Sequence, residues 1–209
     1  MKTTFILGVF IFTFSLICYG QKQDFGTWGL KGLSSEQLAY LSNGEIVFLN
    51  DGIEKAGIKN PLIEAAMVFS ASPERTWKLI SKTDDQPKYI SQCKEIKVVK
   101  KSAAMACETH CVGNWLMSYN YGVIEKYFPE NKCIYWILDT NYAKNDLIAL
   151  KGYWQFYPYG NGKTLARYGS SVSFKNVPEF VENMFKKGGV KDALASVKKY
   201  VNSDTLYHK

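Results

Sequence analysis

The pentapeptide CETHC at residues 107–111 sets two thiols, a carboxyl and an imidazole within a few positions of one another. That composition invites a metal reading. Structural zinc, however, draws its cysteine pairs from short turns, and the stretch AMACETHCVG reads as a strand. A strand rises ~3.3 Å per residue, so the sulfurs of Cys107 and Cys111 would start ~13 Å apart. That separation also forbids a disulfide between them, which needs α-carbons within ~7 Å. No metal site is expected.

The same segment holds His110; the other histidine, His208, lies in the tail 204–209. A turn at Gly113–Asn114 that sets Val112 opposite Trp115 would aim Glu108 and His110 at the inner face of a sheet. A shift by one residue would send both to solvent. Glu125 falls in the inner column of the next strand, near its end. Two readings follow. His110 and Glu125 form an acid–base pair acting on an enolisable ligand, or they are a hydrogen-bonded histidine and a rim carboxylate. No nucleophile and no triad order accompanies them, so the residues show no assembled catalytic apparatus.

Strands must position these groups. From Cys93 to Phe174 the chain reads as CKEIKVVKK, AMACETHCVG, WLMSYNYGVIEKYF, CIYWILD, LIALKGYWQFYP and TLARYGSSVSF, separated by turn-like residues. Short connections between successive strands imply an antiparallel meander. Period-2 alternation then assigns faces. Tyr119 and Tyr121 share a face with Glu125. Closing the FPENKC turn with Phe128 opposite Cys133 brings Trp136 across from Glu125. Trp154 and Tyr168 join the same face from later strands, with Gly152, Ala166 and Ser170 between the rings. Large rings beside small residues either tile a solid core or leave a cavity under a covering helix. Tyr119, Tyr121, Trp136, Trp154 and Tyr168 are therefore the candidate ligand contacts. Arg167 has the outer parity of a surface residue.

The cover is an amphipathic helix over about 178–202, with Val190, Leu194, Val197 and Val201 on one side and Gly188–Gly189 as a point of kinking. Upstream, Ser34 and Gln37 form a capping box, Leu33 and Leu38 are placed for a hydrophobic staple, and Asn43–Gly44 ends that helix. The join VFSASPERTWKLI runs from a strand directly into a helix capped by Ser72, with Pro73 at its first position. A phosphate site there would need glycines for close backbone approach. None is present, so nucleotide binding is excluded.

The chain has 209 residues, 46% of them hydrophobic and 15% aromatic, which suits one domain with a sizeable core. Its net charge of +7 comes almost wholly from dispersed lysines, Arg75 and Arg167 being the arginines. Base readers lean on arginine forks, so no nucleic-acid partner is expected. The lysines would give a weak attraction to anionic membrane surfaces. Residues 1–20 combine Lys2, the apolar run FILGVFIFTFSLIC and CYG, the pattern of a cleaved secretory signal peptide ending near Gly20. Residue Cys18 raises lipid anchoring, although Ile17 before it is a poor match. A flexible lead-in over 21–33 is expected to follow. In an exported chain, disulfides across strands are the better use of cysteine. A hairpin centred near Ser102 sets Cys93 opposite Cys111, the expected bridge, with Cys107 and Cys133 free or joined by a route that spacing does not define.

The order of these elements over residues 34–203 resembles the START-like (SRPBCC) superfamily, which includes polyketide cyclase/dehydrase and lipid-transport proteins and coenzyme-Q-binding START proteins. The segments LSSEQLAYLSNGEIVF, FSASPERTWKLI, CKEIKVV and IYWIL…LKGYWQFYPYGNGKT carry the resemblance. The text QPKYISQC departs from the Pro-x-Trp-x-Pro element that members often place beside the cavity mouth. The resemblance implies an α+β helix-grip fold, a curved antiparallel sheet wrapped around a long C-terminal helix. It implies a small hydrophobic ligand (lipid, isoprenoid or polyketide-like) in an internal cavity, with no cofactor required. It does not imply catalysis, since function follows the site rather than the fold. Two alternatives remain: a cyclase or aromatase on this fold, or a lysine-rich surface module with a filled core.

Overall fold

The computed structural model describes residues 23–52, 62–113, 117–177 and 188–207. The expected export signal, Trp115 and the start of the C-terminal helix lie outside the described residues. Eight strands, β1 (Val47–Asp51), β2 (Ile63–Phe69), β3 (Cys93–Lys101), β4 (Met105–Gly113), β5 (Ser118–Phe128), β6 (Cys133–Leu138), β7 (Leu147–Tyr159) and β8 (Lys163–Phe174), form one antiparallel sheet. Its order is β1-β2-β8-β7-β6-β5-β4-β3. The meander from β3 to β8 is as the turn signals require. The pairing of β2 with β8 is the one connection that sequence adjacency does not suggest. The crossover from β2, next to one edge of the sheet, to β3 at the other edge runs through α2 (Pro73–Ile80) and a short 3-10 helix (Thr83–Lys88). The sheet curves, and α3 (Val190–Tyr207) lies in its concave side.

Local chemistry sets the helix starts. The Ser34 hydroxyl accepts from the Gln37 N–H at 3.2 Å, and the Gln37 side chain accepts from the Ser34 N–H at 2.9 Å. This completes the capping box of α1 (Ser35–Ser42). Ser72 caps α2 by accepting from the Arg75 N–H at 3.3 Å, with Pro73 at the first position, where no N–H is needed. The glycines at 188–189 form a wide π-type turn that leads into α3, a local loosening of the kind two adjacent glycines permit.

Two apolar layers sandwich the sheet. On the concave side Met67, Phe69, Leu79, Ile80, Ile134, Trp154 and Phe156 pack with Leu194, Val197 and Val201 of α3. Further anchors fix α3: the Tyr200 ring stacks on Tyr89 at 4.1 Å between centroids, and the Asn202 side-chain oxygen accepts from the Ser70 N–H at 2.9 Å. On the convex side Val68, Tyr157 and Leu165 pack under Leu41 of α1 and under Phe25, Leu30 and Leu33.

The segment before α1 departs from the expected flexible lead-in. Residues 23–33 lie on the convex face, tied there by Arg167. Its guanidinium sits 3.9 Å over the Phe25 ring and donates to the carbonyls of Gly29 at 3.0 Å and Lys31 at 3.3 Å. Gly29, at φ +73°, lets the backbone lie flat on Tyr157, where a Cβ would come within 2.4 Å of the ring. Arg167 has the outer parity that alternation assigns, but it is only 4% exposed because the N-terminal segment covers it.

Candidate functional site

A cavity of about 260 Å³ lies between the concave face and α3. Val190, Ala193, Leu194 and Val197 form its helical wall. The sheet supplies Tyr121, Val123, Trp136, Leu150, Trp154 and Tyr168 among others, and Ile80, Tyr89 and Ile90 close the side under the helix pair. The expected alternation of large and small residues makes this space. Trp136 is paired with Gly152 across β6 and β7, and its indole lies over that glycine, where a Cβ would approach within 2.2 Å. The ring is thereby held flat against the sheet instead of filling the cavity. Tyr168 then packs between the two indoles, 5.9 Å from Trp136 and 4.7 Å from Trp154.

One end of the cavity is polar. Thr83, His110 and Glu125 face into it. Glu108 lies behind them, 2% exposed, and anchors two of the three. It accepts from the Thr83 hydroxyl at 2.6 Å and bonds the His110 Nε2 at 3.0 Å. Glu125 accepts from the Tyr127 hydroxyl at 2.7 Å. Burial, and then the neighbouring Glu108, push the Glu125 carboxyl up to about 8. Glu125 therefore holds its proton at neutral pH and is a hydrogen-bond donor in an apolar room. Burial likewise raises Tyr121, Tyr168 (to about 12) and the Cys93 thiol (to about 11), so these stay neutral.

Register explains which expected residues meet. Glu125 pairs with Trp136, as closing the FPENKC turn requires, and His110 pairs with Tyr121. The β4–β5 turn is longer than a tight Gly-Asn turn: Val112 pairs with Tyr119, not Trp115. The error is four residues, an even number, so Glu108 and His110 keep the inward face that period 2 assigns them. Of the five ring residues, Tyr121, Trp136, Trp154 and Tyr168 line the cavity. Tyr119 does not. It packs edge-on against Phe174 at 4.8 Å, beyond the cavity wall.

The catalytic pairing needs a similar correction. His110 bonds Glu108, two residues away on its own strand, rather than Glu125. Glu108 has the inward parity expected of it, and its i, i+2 spacing from His110 is the sequence signal for their pairing. Thr83 comes from a 3-10 helix whose sequence, TDDQPK, carries no periodic mark. Tyr127 shares the parity of Glu125 and was legible on that ground.

The expected Cys93–Cys111 bridge is absent, and no described cysteine is in a disulfide. The β3–β4 register contains two bulges, and Cys93 pairs with Val112. This slip is one residue, an odd number. Cys93 lines the cavity beside His110 and Val112, whereas Cys111 is out of phase with them and does not.

The curved sheet, the helix it grips and the cavity between them define a START-like, helix-grip protein. The chain belongs to the family described as polyketide cyclase / dehydrase and lipid transport, which matches residues 69–198. Solved structures share the fold at low identity. A protein from Thermus thermophilus aligns with TM-score 0.59 and 18% identity, over 69% of this chain and 99% of that one. The Zhui aromatase/cyclase from a Streptomyces species aligns with TM-score 0.60 and 8% identity, over 69% and 94%. A STAR-related lipid transfer protein from Xanthomonas axonopodis aligns with TM-score 0.59 and 10% identity, over 75% and 92%. No curated protein matches the chain significantly.

Proposed function

We propose that this protein binds a small, largely apolar ligand in the cavity under α3. One observation carries the reading: the concave face is not filled, and the 260 Å³ it leaves is walled by rings and aliphatic side chains. The space suits a ligand of modest size, near the lower end of ordinary small-molecule pockets. The open space counts against the filled-core surface module. The family description, and the lipid-transfer name of the Xanthomonas neighbour, support binding as the activity.

The test is native mass spectrometry of the chain from residue 21, purified from cells, with organic extraction of bound material. A discrete apolar mass is expected. Replacing Ala193, which lines the cavity from α3, by Trp should empty the protein of that mass without unfolding it. Apo protein in both cases, with no uptake of an added hydrophobic dye, would refute the reading.

One observation favours a second reading, acid–base catalysis on the bound ligand. Glu125 holds a proton beside the bonded Glu108–His110 pair, and the Streptomyces neighbour bears the name aromatase/cyclase. A catalyst loses turnover in Glu125→Gln or His110→Ala while still binding; a carrier shows no turnover to lose. The binding proposal includes export, supported by the pattern of residues 1–20. N-terminal sequencing of protein from the cell envelope or medium should begin near Gln21. It also includes a weak, salt-dependent attraction of the lysine-rich surface to anionic vesicles.

A further inference from the structure

We propose that the polar end of the cavity, Glu125 with Thr83 and His110, is a head-group site for an uncharged ligand that presents a carbonyl oxygen, with the Glu125 carboxyl as donor. The inference rests on the apolar-ligand reading above and names the chemical class that reading leaves open.

The geometry separates this end from the rest of the wall. Thr83 and His110 are tethered to Glu108 from behind, at 2.6 and 3.0 Å, so neither swings freely. Thr83 has one hydroxyl hydrogen, and Glu108 takes it. One Glu125 oxygen accepts from Tyr127 at 2.7 Å. Glu125 itself lines the cavity, which is the outlet for its proton. No lysine or arginine lines the cavity among the described residues, so a carboxylate head would have neither to pair with and would face two carboxyl groups. An ammonium head would have to leave water for an apolar room and displace the Glu125 proton. A ketone, ester or amide oxygen meets neither cost.

The groups around Glu125 predict how this site depends on pH. Glu108 faces it from β4, with His110 bonded to Glu108 in turn, Thr83 from the 3-10 helix, Tyr127 from its own strand and Lys101 from β3, whose positive charge works against the upward shift. Tyr89, beside the 3-10 helix, and Cys93, Tyr121 and Tyr168 are all raised by burial and stay uncharged through this range. From α3 the cavity receives only apolar side chains. Carbonyl binding should therefore weaken as pH rises through about 8, where Glu125 gives up its proton.

The experiment is equilibrium dialysis of four probes against the full chain from residue 21 at pH 6 and pH 9, with circular dichroism to confirm folding. The probes are 2-acetylnaphthalene, 2-ethylnaphthalene, naphthalene-2-carboxylate and 2-naphthylmethylamine. The ketone should bind about tenfold more tightly than the hydrocarbon at pH 6, one well-made buried hydrogen bond, and the preference should vanish at pH 9. Glu125→Gln, which keeps an N–H donor, should retain the preference at both pH values. Glu125→Leu should abolish it while hydrocarbon binding persists. Equal ketone and hydrocarbon affinity would overturn the inference and leave the apolar-ligand reading standing. Tighter binding of the amine or carboxylate would overturn it in favour of a charged head. No binding of any probe would overturn both.

Discussion

Replacing Glu125 by Gln should change the pH dependence of folding in a direction set by the burial of this carboxyl beside Glu108. Burial and Glu108 raise the Glu125 carboxyl from 4.5 to about 8 in the folded chain. Between those values the native state holds a proton that the unfolded state has released. Stability then falls as pH rises, by about 1.4 kcal/mol per pH unit for one proton. The effect is fully present as stabilisation below pH 4.5, is lost progressively up to about 8, and is flat above that. Integrated, it amounts to at most roughly 5 kcal/mol. Glutamine matches the shape, accepts from Tyr127 and never ionises. The assay is urea unfolding of both proteins from pH 5 to 9. The difference in stability, Glu125→Gln minus wild type, should climb steadily from pH 5 to 8 and then level. Parallel curves across that window would show that the native state holds no extra proton there. The electrostatic account of the polar end would then be wrong.

Three further outcomes follow from packing. Gly152→Ala drives a methyl to within 2.2 Å of the Trp136 indole and 2.6 Å of the Gly169 carbonyl; it should cost about 1–3 kcal/mol of overpacking and shift the tryptophan emission, and an unchanged melt with unchanged emission would contradict the geometry. Arg167→Lys loses the guanidinium fork over Phe25 and its bonds to two carbonyls. It should cost about 1–3 kcal/mol, and backbone amides near Gly29 and Lys31 should exchange hydrogen faster. A thiol reagent should modify half-buried Cys107 and Cys111 in the native protein, and Cys93 and Cys133 only after unfolding. A native protein with no reactive thiol would point to bridging that the register does not show.

How far the sequence could be read depends on parity. Strand identities were legible because rings and small residues alternate over long runs, and the FPENKC turn pins β5 against β6. The β4–β5 loop was misjudged by four residues, and the faces survived, because an even error leaves inside and outside unchanged. The β3–β4 hairpin turns over residues 102–105, three register positions from a turn centred on Ser102, and bulges near Lys94 and Val99 take back two of them, which leaves a net slip of one. That odd error put Cys93 and Cys111 together when they belong to different faces. Arg167 illustrates a different limit. Alternation gives the side of a sheet, but it does not say whether that side is later covered, here by residues 23–33. The polar end was half legible for the same reason. Its strand members share a column, while Thr83 arrives from a short 3-10 helix placed by the crossover from β2 to β3.

The two halves of the site constrain each other thermodynamically. A carbonyl ligand that accepts the Glu125 proton stabilises the protonated form, and by linkage the protonated form binds that ligand more tightly by the same factor. Ligand binding must therefore raise the pH at which Glu125 ionises, already about 8 in the unliganded chain. The buried carboxyl then acts as a selector. A pure hydrocarbon draws the same benefit from the rings whether or not the proton is present, and a charged head conflicts with the proton or with Glu108. Trp136, Trp154 and Tyr168 fix how much apolar body the cavity accepts. One neutral carboxyl, kept neutral by burial and by the company of Glu108, fixes what that body carries at its end.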